Sequence, residues 1–237
     1  MTNCELLLDR YLGGDIANFI RGSEGHEIGE IIDGLSPVGN CAIFGGLPRD
    51  FAREGRDAFE SDVDVVVDGA PSALEPLLMR MNGRRNRFGG YRLKYGRFDF
   101  DVWPLQMTWA ARAGHVNVSS LKDLTKTTFF DCDAVLFDCR SLEISRSDRF
   151  WTSIGNRIVD INLEATPNYI GTLVRILRLH FDKKQQLAPR LAGYLAKGVA
   201  HSRNEILDYV ARNNQQIGLG SQMELDGAFR LLAGRRS

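Results

Sequence analysis

Over the first 36 residues the apolar positions Leu6, Leu7, Leu8, Leu12, Ile16, Phe19 and Ile20 fall near helical spacing. That spacing predicts helix, with a second short helix around Glu27 to Ile32. Cys41 to Phe44 is a short apolar run ended by Gly45-Gly46, as expected of a buried strand. Pro48 to Glu54 is a helix candidate, because a proline in the first turn loses an N–H that had no partner there. From Asp62 to Val67 acidic and apolar positions alternate, which predicts a second strand. Pro71-Ser72 opens a helix carrying Leu74, Leu77, Leu78 and Met81. Tyr91 to Leu93 and Phe98 to Leu105 predict a hairpin turning near Gly96. Phe129 to Phe137 with Leu142 to Ile144 suggest a further pair of strands, and Ile158 to Ile161 a last short one. From Pro167 the pattern changes. Tyr169, Leu173, Ile176, Leu177 and Phe181 form a helical stripe, and only helical signals follow to Leu232. Between Gln186 and Asn213 the apolar positions are mostly four apart, with a break at Gly198 to Ser202. Strands and helices in irregular order predict an α+β fold, with a mixed head over residues 1–165 and a helical tail over 166–237.

Composition narrows the class. The chain has 237 residues, 43% hydrophobic and 25% charged, ordinary for a soluble globular protein. Thirty basic residues balance thirty acidic ones, which argues against a protein that coats nucleic acid through net charge. No apolar run approaches the length of a membrane span. The first residues lack a signal-peptide pattern, so a cytoplasmic location with no membrane partner is expected. Cys4, Cys41, Cys132 and Cys139 form no CxxC; free buried thiols in a reducing compartment are expected rather than a zinc site.

The chemistry concentrates in Gly45 to Gly69. Residues two apart on a strand share a face, so Asp62 and Asp64 stand side by side, roughly 6–7 Å apart along the backbone. Such a pair is either the solvent face of an edge strand or a site for a hard divalent cation such as Mg²⁺, which takes one or two protein carboxylates and keeps several waters. The preceding strand–Gly–Gly–helix unit favours the second reading: a glycine turn and a helix N-terminus admit phosphate oxygens. Together they sketch a nucleotide-polyphosphate site. The strand Gly96 to Leu105 presents a further pair, Asp99 and Asp101, on one face, and either could be a third ligand.

The string GGLPRD followed by SDVDVVV resembles the signature of the polymerase-β-like nucleotidyltransferases, and most nearly the head of CCA-adding enzymes and bacterial poly(A) polymerases. FFDCDAVLFD (Phe129 to Asp138) and LVRILRLHFD (Leu173 to Asp182) are similar to later motifs of that branch, and the Asp-Val-x-Pro at Asp101 looks like the third-acid strand of several relatives, cyclic-oligonucleotide synthases among them. Thr127-Thr128 stands where the branch has a basic pair, Asp131 and Asp133 where it has threonine and asparagine, and no acidic pair followed by arginine occurs after residue 182.

The resemblance implies a nucleotidyltransferase head followed by a neck-like tail. It implies Asp62, Asp64 and Asp101 (Asp99 as the alternative) as catalytic acids holding two Mg²⁺ ions, or Mn²⁺. Gly45, Gly46, Arg49, Asp50, Arg175 and Arg178 would serve the nucleotide. The reaction implied is transfer of a nucleoside monophosphate from an NTP to a hydroxyl, with pyrophosphate released. The acceptor is RNA, such as a tRNA end, on the first reading and a second NTP on the alternative, a nucleotide second-messenger synthase. A non-catalytic nucleotide-binding regulatory module is the third. The basic run Arg84, Arg85, Arg87, Arg92 and Lys94 is either a patch for acceptor or phosphate or a solvated, charged hairpin edge. A partner chain or a second copy is compatible with all three. Trp103, Trp109 and Trp151 are expected in the core, and His180 as a packed or capping residue.

Overall fold

The computed structural model describes residues 2–59, 62–86 and 88–213. Helix α1 (Asn3–Arg21) starts at a reciprocal cap in which Thr2 accepts from the Glu5 N–H and the Glu5 carboxylate accepts from the Thr2 N–H. It is followed by α2 (His26–Leu35), β1 (Gly39–Phe44), α3 (Gly46–Glu54), β2 (Val63–Gly69) and α4 (Pro71–Arg80). Next come β3 (Arg84–Arg85), β4 (Tyr91–Tyr95), β5 (Phe98–Pro104), the single-turn α5 (Trp109–Arg112), β6 (Val135–Asp138), β7 (Ile144–Arg146) and α6 (Phe150–Asn156). The chain then runs through β8 (Ile158–Val159), α7 (Tyr169–Phe181), β9 (Gln186–Leu187) and α8 (Pro189–Arg212). Arg87 and the stretch to Leu232 beyond Asn213, both part of the sequence expectation, lie outside the described residues.

Seven strands form one mixed sheet in the order β3-β4-β5-β2-β1-β6-β7. Only the β2–β5 pair is parallel. One face carries Val63, Val65, Val67, Phe100, Val102, Ile43 and Phe137 under α1, α2 and α4, which contribute Leu12, Ile16, Ile28, Leu35, Leu74 and Leu78. This is the main core, and it accounts for the apolar half of each alternating strand. On the other face Ala42, Val66 and Leu136 are covered by Leu105, Val118, Leu121 and Leu124 of the β5–β6 connection.

A second core joins α7 and α8 to earlier chain: Leu173, Ile176, Leu177, Leu191, Leu195, Val199 and Ile206 pack with Phe130, Cys132, Val159 and Ile161. It therefore draws on both sides of residue 165. The two helices cross closely at Gly198, where an added Cβ would lie 2.4 Å from Leu173 Cδ2. The break predicted in the tail is a kink at Ser202, whose φ and ψ are −126° and 32°.

Two local expectations are corrected. Phe129 to Phe137 is not one strand, because Asp131–Asp133 forms a 3-10 turn. The buried Asp131 carboxylate there accepts from the Asp160 N–H and the Ser153 hydroxyl, contacts an extended strand would not reach. The region after Phe181 is not purely helical, since β9 pairs parallel with β8, bringing in the Gln186 and Ala188 N–H groups. Cys4 is exposed, whereas Cys41 and Cys132 are buried free thiols.

Candidate active site: an acid row beside a glycine turn

In-register strand partners share a face. The register places Asp64 of β2 directly beside Asp101 of β5, with Phe44 of β1 on the other side of Asp64 and Arg92 of β4 on the other side of Asp101. Adjacent strands lie about 5 Å apart, so the two carboxylates are neighbours on one face of the sheet. Asp62, two residues before Asp64, is held by Arg92, whose Nη2 donates to Asp62 Oδ2 at 2.6 Å. The electrostatics record the crowding. Burial, and next the Asp101 charge, push the Asp64 carboxyl up to about 7, with Arg175 acting the other way. Burial also raises Asp101, against the pull of Arg92.

On the strand next to these acids, β1 gives way after Phe44 to Gly45, whose φ of +69° and ψ of −101° suit glycine alone. The Gly45 N–H donates to Val135 O of β6, which fixes the turn. Helix α3 begins at Gly46, and its first N–H has no intrahelical acceptor. One turn on, Arg49 forks onto Asp50 with Nε and Nη2 at 2.8 and 3.0 Å. Its Nη1 reaches Asp133 Oδ1 at 2.6 Å, and Arg175 Nη2 of α7 meets Asp133 Oδ2 at the same distance. Asp133 thus clamps the glycine-turn helix to the first tail helix. Burial alone would raise its carboxyl, but Arg175 and Arg49 together hold it below the usual carboxylate range. Arg175 also lies over the Phe130 ring, 5.1 Å from its centroid.

These groups line one cleft of about 510 Å³. Gly45, Gly46, Arg49, Asp62, Asp64, Asp101 and Arg175 are all on its wall. Asp99 is not: it borders a neighbouring cavity of about 440 Å³, together with Asp62. Asp50 stands behind the wall and braces Arg49 and Arg53. Arg178 faces Asp182 at 3.6 Å and is not on the wall. In the basic run, Arg84, Arg92 and Lys94 share the acid face of the sheet through the pairs Arg84↔Arg92, Arg92↔Asp101 and Lys94↔Asp99, whereas Arg85 pairs with Tyr91 on the opposite face.

Sequence reasoning missed much of the wall. Trp103, expected in the core, does pack on the Ala42–Val66–Leu136 core but also lines the cleft, as does Trp109, with Phe88, Phe129, Thr127 and Thr128. Trp151 does pack inward, its Nε1 donating to Asp9 at 2.7 Å, and His180 is satisfied by Gln185 O. Trp103 carried a signal, for it stands two residues after Asp101 and shares its face. Trp109 and Phe129 carried none, because Trp109 opens a single helical turn and Phe129 sits in irregular chain.

Among the described residues lining the cleft, Asp62, Asp64, Asp101 and Asp133 stand with Arg49 and Arg175, a formal charge of −2 on the wall, and Arg92 engages Asp62 from beside it. The donors beside the acids are all oxygen, the set a hard divalent ion takes. Among the described residues no three acidic, histidine or cysteine side chains already stand close enough to hold an ion. Arg92 engages Asp62, and both side chains are about half exposed, at 53% and 44%. A pair that exposed is weak.

The backbone has known counterparts. A tRNA-processing enzyme solved with CTP superposes with a TM-score of 0.58 at 17% identity, covering 86% of this chain and 56% of that one. A tRNA nucleotidyltransferase complexed with a primer tRNA and an incoming ATP analog gives 0.55 at 19%, over 81% and 58%. A Thermotoga maritima CCA-adding enzyme complexed with tRNA gives 0.50 at 14%, over 86% and 44%. The chain spans little more than half the length of the first two. No protein-family model and no curated protein sequence matches. The fold, a mixed sheet with a helical C-terminal region, is the one these tRNA nucleotidyltransferases share over the matched part of their chains. Among the described residues no helix is long and apolar enough to cross a membrane.

Proposed function

We propose that this protein is a nucleotidyltransferase that moves a nucleoside monophosphate from an NTP to a hydroxyl of an RNA acceptor, with Mg²⁺ as the cofactor. The observation that carries the reading is the register of Asp64 against Asp101, with Asp62 on the same strand and the glycine turn on the same cleft wall. A triphosphate cannot enter a wall of net negative charge unaided, so the acids and the substrate need the same positive partner. Asp62, Asp64 and Asp101 would hold the two ions, which supply charge neutralisation and a more acidic attacking hydroxyl.

The chain's own groups do the rest. The Gly46 N–H at the start of α3 faces the phosphates, a position where the helix favours anions. Arg175 adds a cation that Asp133 keeps in place. The Asp64 carboxyl must be ionised to act as a ligand, and neutralising the Asp101–Asp64 repulsion favours that state. Chemistry of this type is mainly positioning and charge stabilisation, and a row of side chains on adjacent strands supplies fixed positions. The likeness of the fold to enzymes solved with CTP or with a primer tRNA supports the substrate classes.

Calorimetric titration with Mg²⁺-ATP tests the site. Saturable binding by the wild type that weakens at least ~10-fold in Asp62→Ala, the loss of more than ~1.4 kcal/mol, is expected. Equal binding by both proteins would remove the acids from the site.

A further inference from the structure

We infer that Trp103 and Trp109 form a stacking platform for the terminal base of the acceptor, whose backbone is drawn in along the Arg84–Arg92 row. The inference rests on the proposed transfer reaction and names the acceptor side of the same cleft. It starts from direction. The groups suited to a triphosphate, namely Gly45, Gly46 and Arg175, all sit on the β1 and α7 side of Asp64. In-line displacement places the attacking and leaving oxygens on opposite sides of the reacting phosphorus. With pyrophosphate leaving toward β1, the hydroxyl must arrive from the β5 side.

That side is built for a nucleobase. Trp103 shares the face of Asp101 one residue pair further along β5, roughly 6–7 Å away. Its indole packs closely against Gly90, where an added Cβ would meet the ring at 2.5 Å. Trp109 opens α5, which is tied to the β3–β4 connection by Arg112 Nη1 donating to Phe88 O at 3.1 Å. Its ring packs at 4.9 Å from His115. Both indoles are half-buried and reach the cleft wall, Trp103 from the core of Ala42, Val66, Leu105 and Leu136 on which it packs. Outward from Asp101, the same sheet face continues through Arg92 to Arg84 at the sheet edge, with Lys94 beside them. Arg84, Arg92 and Lys94 are exposed cations beside the acid row, with Arg92 engaged by Asp62, and the rings lie just beyond it; cations that follow the backbone next to rings that stack bases are what single-stranded nucleic acid binds.

Tryptophan emission reads the platform directly, because the chain has only three tryptophans and Trp151, bonded to Asp9, serves as an internal reference. The wild type, Trp103→Phe, Trp109→Phe and Trp109→Ala are titrated with a short single-stranded oligoribonucleotide, with the same oligonucleotide abasic at its 3′ end, and with Mg²⁺-ATP alone. Calorimetry runs in parallel. The expected result is saturable quenching by the oligonucleotide that shrinks in each phenylalanine variant. Trp109→Ala should bind it about 10-fold more weakly, while Mg²⁺-ATP affinity stays within about 2-fold. The abasic end should weaken wild-type binding by a similar factor and make little difference in Trp109→Ala. Quenching by Mg²⁺-ATP but not by the oligonucleotide would overturn the inference and assign the rings to the donor base, or to a second NTP as acceptor. Oligonucleotide binding with unchanged emission from Trp103 and Trp109 would overturn it as well. Mg²⁺-ATP binding without any oligonucleotide binding would sink the acceptor inference while leaving the nucleotide site standing. If neither ligand binds, the transfer reading falls and takes the inference with it.

Discussion

Replacing Asp133 with asparagine removes the charge on which the glycine-turn helix and the first tail helix both depend. The Asp133 side chain is 7% exposed and that of Arg49 is 12%, whereas Arg175 is 48% exposed. Removing one partner of a buried pair costs about 3–5 kcal/mol, because the other charge is left without compensation. Arg49 keeps its two bonds to Asp50, which lowers the cost, and the half-exposed Arg175 adds about 0–1 kcal/mol at most. Asparagine still offers one oxygen to Arg49 but turns an N–H₂ toward Arg175, donor against donor. The expected loss is ~2–3 kcal/mol, or a Tm lower by roughly 5–10 °C in a domain of this size. Urea denaturation at pH 7 measures it, with Glu164→Gln as the control. Glu164 pairs with Arg190 at the surface, with 61% and 53% exposure, and its loss should stay within about 0.5 kcal/mol. The sign with pH follows. A carboxyl lowered in the folded state stabilises above its unfolded pKa of about 3.9, and that stabilisation disappears as pH falls through the folded value. The wild type and Asp133→Asn should therefore converge below about pH 4. A loss under ~0.5 kcal/mol at pH 7, indistinguishable from the control, would refute the clamp.

Three further outcomes follow from the same geometry. Asp64 is raised, not lowered, in the folded state, so without metal its ionisation destabilises: wild-type stability should fall as pH rises from about 4 to about 7, by up to ~1.4 kcal/mol per pH unit, and level off above. Asp64→Asn should flatten that slope in pH-dependent urea melts, and an unchanged slope would contradict the assignment. Gly45→Ala meets no atom within 4 Å, so its cost is backbone strain alone, ~1–3 kcal/mol, and thermal melting at or above the wild-type Tm would show that the turn tolerates a side chain. Gly198→Ala forces a Cβ to 2.4 Å from the fully buried Leu173; a loss of ~1–3 kcal/mol is expected, and a neutral result would mean that α7 and α8 can move apart.

Local periodicity carried the strands and helices whose one face is buried. Asp62 and Asp64 were legible because Val63 and Val65 fix which face they take, and the glycine turn was legible from two adjacent glycines before a helix. The choice between Asp99 and Asp101 was not, since both share a face. The parallel register of β2 against β5 places Asp101 beside Asp64 on the cleft wall and Asp99 on the neighbouring cavity. Asp133 was visible only as a departure from a motif. Its partners Arg49 and Arg175 come from distant segments, and Arg49 lies 84 residues away, a relation that no local pattern encodes. The β5–β6 connection carries Trp109 and most of the cover on the acid-side sheet face. It is built of one- and two-turn helical pieces of three to six residues, too short to produce a period.

The acid row is proposed to transfer a nucleotide to RNA. Incubating the protein with Mg²⁺ and α-labelled NTPs, with and without total RNA, and running Asp64→Asn and Asp101→Asn alongside, tests it most directly. The account predicts label on RNA with the wild type and at least ~100-fold less with either variant, a transition-state loss of about 2.7 kcal/mol or more. Label in a new small molecule formed without RNA would contradict the acceptor, and no transfer by a protein that binds Mg²⁺-ATP would contradict the reaction itself.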